Sequence, residues 1–447
     1  MAWLTPLLLG AVVGCGTRDG NESPRWDIVV FVLDAARADH FGSYGYDRNT
    51  TPNIDALARG GVVYEAVFSE GASTYPSTAA LMTGRSPGES GLLKTQPIPT
   101  RYPTLAERAR DAGYRTYAYS ENPFITPTFS FDRGFSGFDA VFPHEVFARG
   151  QSAEHDFGTR EGIRRALDWM AEEPSEPFFA YFHVLRPHNP YTPPPELLAQ
   201  HAAGVDSAVY GSTETLLDID RERRRATPEE LAQIVALYDA NLAYGDAIFG
   251  FLVDGMRSRS LIDEAVIVVL SDHGEAFLEH GRMLHTSTVF DEMIHVPAIV
   301  RFPVAGEGRR VSTPLQLHDL GNAIARLAEE PTDELVLGGG PAQTATDTIL
   351  SWTIPEFGLA AVRTPTHKLV IEVGEDACAL NPIALYDLTV DPGEHRALPT
   401  ENDETVEALA GHFRDHGLRE CEASPQSVEE LDPRTAEQLR LLGYVDD

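Results

Sequence analysis

Three continuous apolar runs constrain what this chain can fold into. They are Asp27-Ile28-Val29-Val30-Phe31-Val32-Leu33, the segment from Phe178 to His183, and Ala265 to Leu270. A strand with one wet face alternates apolar and polar residues, whereas a run apolar at every position is covered on both faces. Helical patterns separate the runs. Thr51-Pro52 opens one with a capping residue and a proline in the first turn. Thr104 to Ala112, Thr159 to Glu172, Pro228 to Met256 and Gln316 to Ala328 continue the series, with further strands at Arg115 to Tyr119 and Val296 to Phe302. This alternation predicts an α/β fold: a mostly parallel central sheet with helices on both faces. After Gly338-Gly339-Gly340-Pro341 the pattern changes to hairpin strands at Leu359 to Arg363 and Lys368 to Val373. The segment Leu385-Tyr386-Asp387-Leu388 and a helix from Glu404 to His416 follow, which reads as a smaller C-terminal α+β domain.

The ends of these runs carry chemistry. Asp34 closes the first, and Ser271-Asp272-His273-Gly274 follows the third. Parallel strands deliver their carboxyl ends to one edge of the sheet, where ligands bind in open α/β folds. A third element belongs with them. Ser73-Thr74-Tyr75-Pro76-Ser77-Thr78-Ala79-Ala80-Leu81-Met82-Thr83-Gly84-Arg85 reads as a loop turning into a helix that stops at Gly84. Thr74 stands just ahead of that helix, where free N–H groups and the helix dipole favour an anion. A plain helix cap is the alternative for Thr74, and a cap or a satisfied polar residue for Asp34, Asp272 and His273. If they converge, two carboxylates, an imidazole and the Thr74 hydroxyl give four ligands for one divalent ion. Oxygen ligands with one imidazole suit Zn²⁺ or Mn²⁺ better than Ca²⁺, and an ion there would activate Thr74 as a nucleophile.

Charge narrows the substrate. The 447 residues carry a net charge of −33, which excludes a nucleic-acid-binding role and requires a local cation to hold any anionic substrate. No internal stretch is long and apolar enough to span a bilayer. At the start, Leu4 to Val13 is a short apolar run followed by Gly14-Cys15, which resembles a bacterial lipoprotein signal. We therefore expect residues 1–15 to be a signal peptide with Cys15 as the lipid anchor, residues 16–26 a tether, and the protein to lie at a bacterial cell envelope. Residues 27–345 would then form the catalytic domain and 346–447 the C-terminal subdomain. With Cys15 acylated, Cys378 and Cys421 form an even pair, which predicts a disulfide.

Several segments in order resemble the sulfatase family of the alkaline phosphatase superfamily. They are Val32-Leu33-Asp34-Ala35-Ala36-Arg37-Ala38-Asp39-His40, Tyr44-Gly45-Tyr46, Thr51-Pro52-Asn53-Ile54-Asp55, the Thr74 to Arg85 stretch, Ser271-Asp272-His273-Gly274-Glu275, Val296-Pro297 and Leu385-Tyr386-Asp387-Leu388. The resemblance implies a metal bound by Asp34, Thr74, Asp272 and His273. It also implies that His188, in His183-Val184-Leu185-Arg186-Pro187-His188, and His285 face the transferred group or hold a second metal. His183 is expected to pack under its strand end, and His280, His295 and His318 to be structural. Arg37, Asp39, Asn53 and Arg85 are expected to support the scaffold.

The departures from the pattern are consistent with one another. Sulfatases carry Cys or Ser, converted to formylglycine, where Thr74 stands, and Thr cannot become that aldehyde. The following Arg is Thr78, the second Asp of the usual pair is Ala35, and Ser120-Glu121-Asn122 replaces a Gly-Lys-Trp-His segment. The acid, Thr, Asp, His pattern resembles the phospho-transferring branches of the superfamily, in which the Thr forms a phospho-enzyme. The implied function is hydrolysis of a phosphate or sulfate ester on a small molecule, glycan or lipid, with phosphoesters favoured. A membrane head-group transferase and a catalytically silent sulfatase-like binder are the alternatives.

Overall fold

The computed structural model describes residues 25–142, 158–303, 308–330, 348–374, 379–401, 403–417 and 433–441. Cys15, Cys378 and Cys421, and the junction drawn at residue 345, lie outside the described residues.

The first apolar run forms strand β1 (Asp27–Asp34). In chain order the main sheet then takes β2 (Val62–Phe68), β3 (Arg115–Ser120), β4 (Gly137–Ala140), β5 (Phe178–Pro187) and β6 (Ala265–Ser271). Beyond the short pair β7 (Ala276–Phe277) and β8 (Met283–Leu284) it adds β9 (His295–Arg301), β10 (Arg309–Val311) and β11 (Leu315–Gln316). The order across the sheet is β10-β2-β9-β6-β1-β5-β3-β4, with β11 also on β2. All pairings are parallel except those of β9, which runs antiparallel to β2 and β6. The sheet is therefore the mostly parallel α/β sheet that the runs predict.

The uninterrupted apolar character of β1 has a direct structural reason. Ile28, Val30 and Val32 enter one core cluster, and Val29, Phe31 and Leu33 enter another on the opposite face. The Thr74–Thr83 and Leu317–Glu329 helices cover the first face; the Thr159–Glu172 and Pro228–Ser258 helices cover the second. Each of these six side chains is fully buried, which stabilises the fold by about 1.5–3 kcal/mol apiece.

The C-terminal part forms a separate antiparallel sheet of β12 (Ile349–Trp352), β13 (Leu359–Arg363), β14 (His367–Val373) and β15 (Leu380–Asp387) in that order. The Glu404–His416 helix packs its Val406, Leu409, Ala410 and Phe413 on one face. This sheet braces the functional edge of the first. The Ala72 N–H donates to the Trp352 carbonyl at 3.1 Å, and the Trp352 N–H donates to Glu70 O at 2.8 Å. The loop before Thr74 is thereby held to the smaller domain.

Candidate active site

β1 and β6 are adjacent and parallel, so Asp34 and Asp272 emerge side by side. Where β1 meets β5 the register shifts between Leu33 and Asp34, and the chain turns sharply at Ala35, whose φ is +60°. A left-handed non-glycine residue costs about 1–3 kcal/mol. Here the turn points the Ala35 N–H at Asp272 Oδ1, 3.2 Å away. Beyond His273, a Cβ on Gly274 would come within 2.1 Å of the Glu292 carbonyl, so only glycine fits.

Asp34, Asp272 and His273 are all buried and each offers a ligand atom within 4.8 Å of the others, the one such group of three or more among the described residues. Asp34 Oδ1 and Asp272 Oδ2 are buried without a hydrogen-bond partner. A buried, unpartnered carboxylate oxygen is strongly unfavourable unless a cation meets it. The electrostatics are those of a like-charge pair. Burial, with the Asp34 charge behind it, pushes the Asp272 carboxyl up. Burial opposes the charge on Asp34 too, but His188, His183 and His273 outweigh it and hold that carboxyl well below the usual range. These residues fit a divalent ion.

Thr74 is not a cap. It is the first residue of its helix; Ser73 occupies the cap position and makes no side-chain capping bond. The Thr74 hydroxyl lies 3.3 Å from His273 Nε2, and the Asn122 amide donates to it at 3.3 Å. The same amide donates to Asp34 Oδ2 at 2.5 Å. The helix behind Thr74 is buried on every side, and Gly84 ends it at φ +62°.

His188 and His285 also reach this place. Their rings are 4.8 Å apart, and the His285 ring lies 4.5 Å from that of His273. Burial lowers the pKa of both, so both favour the neutral form, and the neighbouring His273 adds to the effect at His285. His183 does more than pack beneath the strand end: its Nε2 is 3.3 Å from Asp34 Oδ2 and 3.7 Å from Asp272 Oδ2. Sequence reasoning gave Asn122 no role at the site and gave His183 only the packing one. The available signal was position: Asn122 follows β3 and His183 lies on β5, both on the edge that carries Asp34.

His280, His295, His318 and the scaffold residues pair with groups outside the Asp34–Asp272–His273 set. His280 pairs with Glu292, His295 donates to the Glu65 carbonyl and His318 pairs with Glu70. Arg37 pairs with Asp39 and Glu279, Asn53 hydrogen-bonds Asp246, and Arg85 lies over the Tyr102 ring.

The sequence profile of the sulfatase family matches residues 27–330. The chain belongs to the sulfatase family. Sulfatases are sulfuric-ester hydrolases of the alkaline phosphatase superfamily, and this chain carries their fold. Arylsulfatase K of Gallus gallus is 22% identical over 90% of this chain and 84% of its own length. The phosphonate monoester hydrolase of Agrobacterium radiobacter superposes with a TM-score of 0.70 at 22% identity, covering 88% of this chain and 95% of that one. A 2-O GAG sulfatase superposes with a TM-score of 0.68 at 19% identity, covering 93% and 96%. In this chain a buried Thr74 hydroxyl lies beside the Asp34–Asp272–His273 group.

Proposed function

We propose that this sulfatase-family chain is a metal-dependent ester hydrolase with Thr74 as its covalent nucleophile, turning over phosphoesters and phosphodiesters faster than matched sulfate esters. The observation that carries the reading is the place of the Thr74 hydroxyl. It is buried at a helix N-terminus, 3.3 Å from His273 and next to two carboxylates with unpartnered oxygens. Asp34, Asp272 and His273 would hold the ion, with the Thr74 oxygen completing the set, and mixed oxygen and imidazole donors favour Zn²⁺ or Mn²⁺ over Ca²⁺. When bound, a divalent ion supplies positive charge that lowers the proton affinity of a nearby hydroxyl and neutralises an anionic ester. The chain's own residues do the rest. Asn122 orients the Thr74 hydroxyl through its amide and fixes Asp34 with the same group. Thr74 attacks phosphorus in line, and water later cleaves the phosphothreonine. His188 and His285 face the transferred group; a second metal between them is the other role their proximity allows.

Phosphorus is favoured over sulfur because the formylglycine route is chemically closed to Thr. The phosphonate monoester hydrolase among the structural neighbours supports this preference, and the 2-O GAG sulfatase supports a sugar-bearing substrate. We further propose a lipid anchor on Cys15 that keeps the enzyme at a bacterial envelope.

The test is a substrate panel of matched sulfate monoester, phosphate monoester, phosphodiester and phosphonate monoester, each with and without chelator. The expected outcome is loss of activity in chelator, recovery with Zn²⁺ or Mn²⁺ rather than Ca²⁺, and higher kcat/KM on a phosphoester. A clear preference for sulfate, or activity intact in chelator with no metal bound, contradicts the proposal.

A further inference from the structure

We propose that Glu275 is a positioning residue for His285, and that through Tyr191 it locks together the two loops that carry His188 and His285. This inference rests on the Thr74 reading above. Glu275 is fully buried, yet it is neither in the ligand group nor paired with a cationic side chain. Each of its carboxylate oxygens is engaged. Oε1 lies 2.9 Å from His285 Nδ1, within hydrogen-bond reach, and Oε2 accepts from the Tyr191 hydroxyl at 3.0 Å. Its backbone is fixed as well: its N–H donates to Glu292 O at 3.0 Å, and its carbonyl accepts from Arg37 Nη1 at 3.1 Å.

The geometry answers two questions that the histidines alone leave open. The first is which nitrogen of His285 carries which proton. With Glu275 as the carboxylate it can only accept, so the one proton of the neutral ring sits on Nδ1 and the unprotonated Nε2, on the other side of the ring, presents to the transferred group and its attacking water. The second is how two separate loops keep His188 and His285 in register, with ring centroids 4.8 Å apart. Tyr191 lies three residues beyond His188, is fully buried, and has its own N–H anchored on Gly211 O at 2.8 Å. The Tyr191–Glu275–His285 chain therefore clamps one loop to the other.

In the chemical step the Thr74 oxygen, its proton lost to solvent, forms a bond to phosphorus. The phosphorus–oxygen bond to the leaving group breaks, and its electron pair goes to the leaving oxygen, which takes a proton from solvent. The Nδ1 proton stays in the hydrogen bond with Glu275. In the second half, the attacking water gives its proton to the unprotonated His285 Nε2, the bond from phosphorus to the Thr74 oxygen breaks, and that oxygen takes the proton from Nε2 and leaves as the hydroxyl. Glu275 touches neither substrate nor nucleophile and acts through His285.

Glu275→Gln is the decisive variant because it keeps the shape and the hydrogen-bonding reach of Glu275. An amide can either donate to or accept from Nδ1, so control over the His285 tautomer is lost. The expected result is a fall in kcat of about 10- to 100-fold, the usual effect of losing a group that orients a site residue. Metal content and kcat/KM should stay near wild type, and phosphothreonine should accumulate in the variant, because the lost step is its cleavage by water. Tyr191→Phe, which removes only the outer hydrogen bond, should show the same pattern at smaller size. Wild-type kcat in Glu275→Gln, a loss with no phosphothreonine accumulating, or a loss that tracks metal content in both variants would overturn the inference. The nucleophile reading fails separately, through an active Thr74→Ala, whatever Glu275→Gln does.

Discussion

Asp27 opens β1 with its carboxyl held against the next strand, where Oδ1 accepts from the Phe178 N–H at 3.0 Å. Burial, aided by the charge of Glu264, pushes that carboxyl from near 3.8 up to about 7, against the pull of the Phe178 hydrogen bond and Arg115. The native state therefore holds this proton more tightly than the unfolded chain does. Stability contributed by the protonated carboxyl is fully present below about 3.8 and is lost as pH rises from there through about 7. Asn keeps the acceptor for Phe178 and carries no charge. Asp27→Asn is expected to raise Tm at pH 8 and to raise it less at pH 5, measured by thermal unfolding at the two values. Residue-scale chemistry also explains what the sequence could and could not reveal at the site. Asp34, Thr74, Asp272 and His273 stand next to strand and helix ends that announce themselves. Asn122 lies in an unpatterned turn after β3, and His183 sits inside an apolar run, so nothing local marked either as a neighbour of Asp34. Their roles come from strand order, β1 beside β5 beside β3, which a single sequence does not encode in any short pattern.

Among the elements, the buried runs were legible because burial on both faces removes alternation, and β1, β5 and β6 lie where the runs place them. β2 was not legible. It mixes Tyr64 and Glu65 with Val62, Val63, Ala66, Val67 and Phe68, and its pairing with β9 is interrupted between Tyr64 and Val67. The reversed direction of β9 likewise leaves no mark in its composition. β14 carries the element that joins the two sheets. Lys368, fully buried, places its ammonium 2.9 Å from Asp291 Oδ1 and 2.7 Å from Glu394 Oε1. Asp291 begins the turn leading into β9, so the pair couples the smaller sheet to the edge of the larger one. Removing one partner of a buried ion pair leaves uncompensated charge and costs about 3–5 kcal/mol. Lys368→Met is expected to lose stability of that order by denaturant unfolding. A change within a few tenths of a kcal/mol would show that the cluster does not hold the sheets together.

Taken as a whole, the molecule gathers its chemistry on one edge. Strand ends supply Asp34, Asp272 and His273, the Thr74–Thr83 helix points its N-terminus at them, and the smaller sheet braces the loop before Thr74. A chain with net charge −33 that acts on an anionic ester depends on this edge to collect a cation. The central claim, that Thr74 is the covalent nucleophile of a metal-bearing site, is tested most directly by the turnover of Thr74→Ala at matched metal content on the best phosphoester substrate. Asp34, Asp272 and His273 remain in that variant, so it should fold and retain metal. Loss of a nucleophile within a catalytic unit predicts a fall of roughly 10⁴- to 10⁶-fold in kcat. Turnover near the wild-type rate, with the fold and metal content unchanged, would contradict the account.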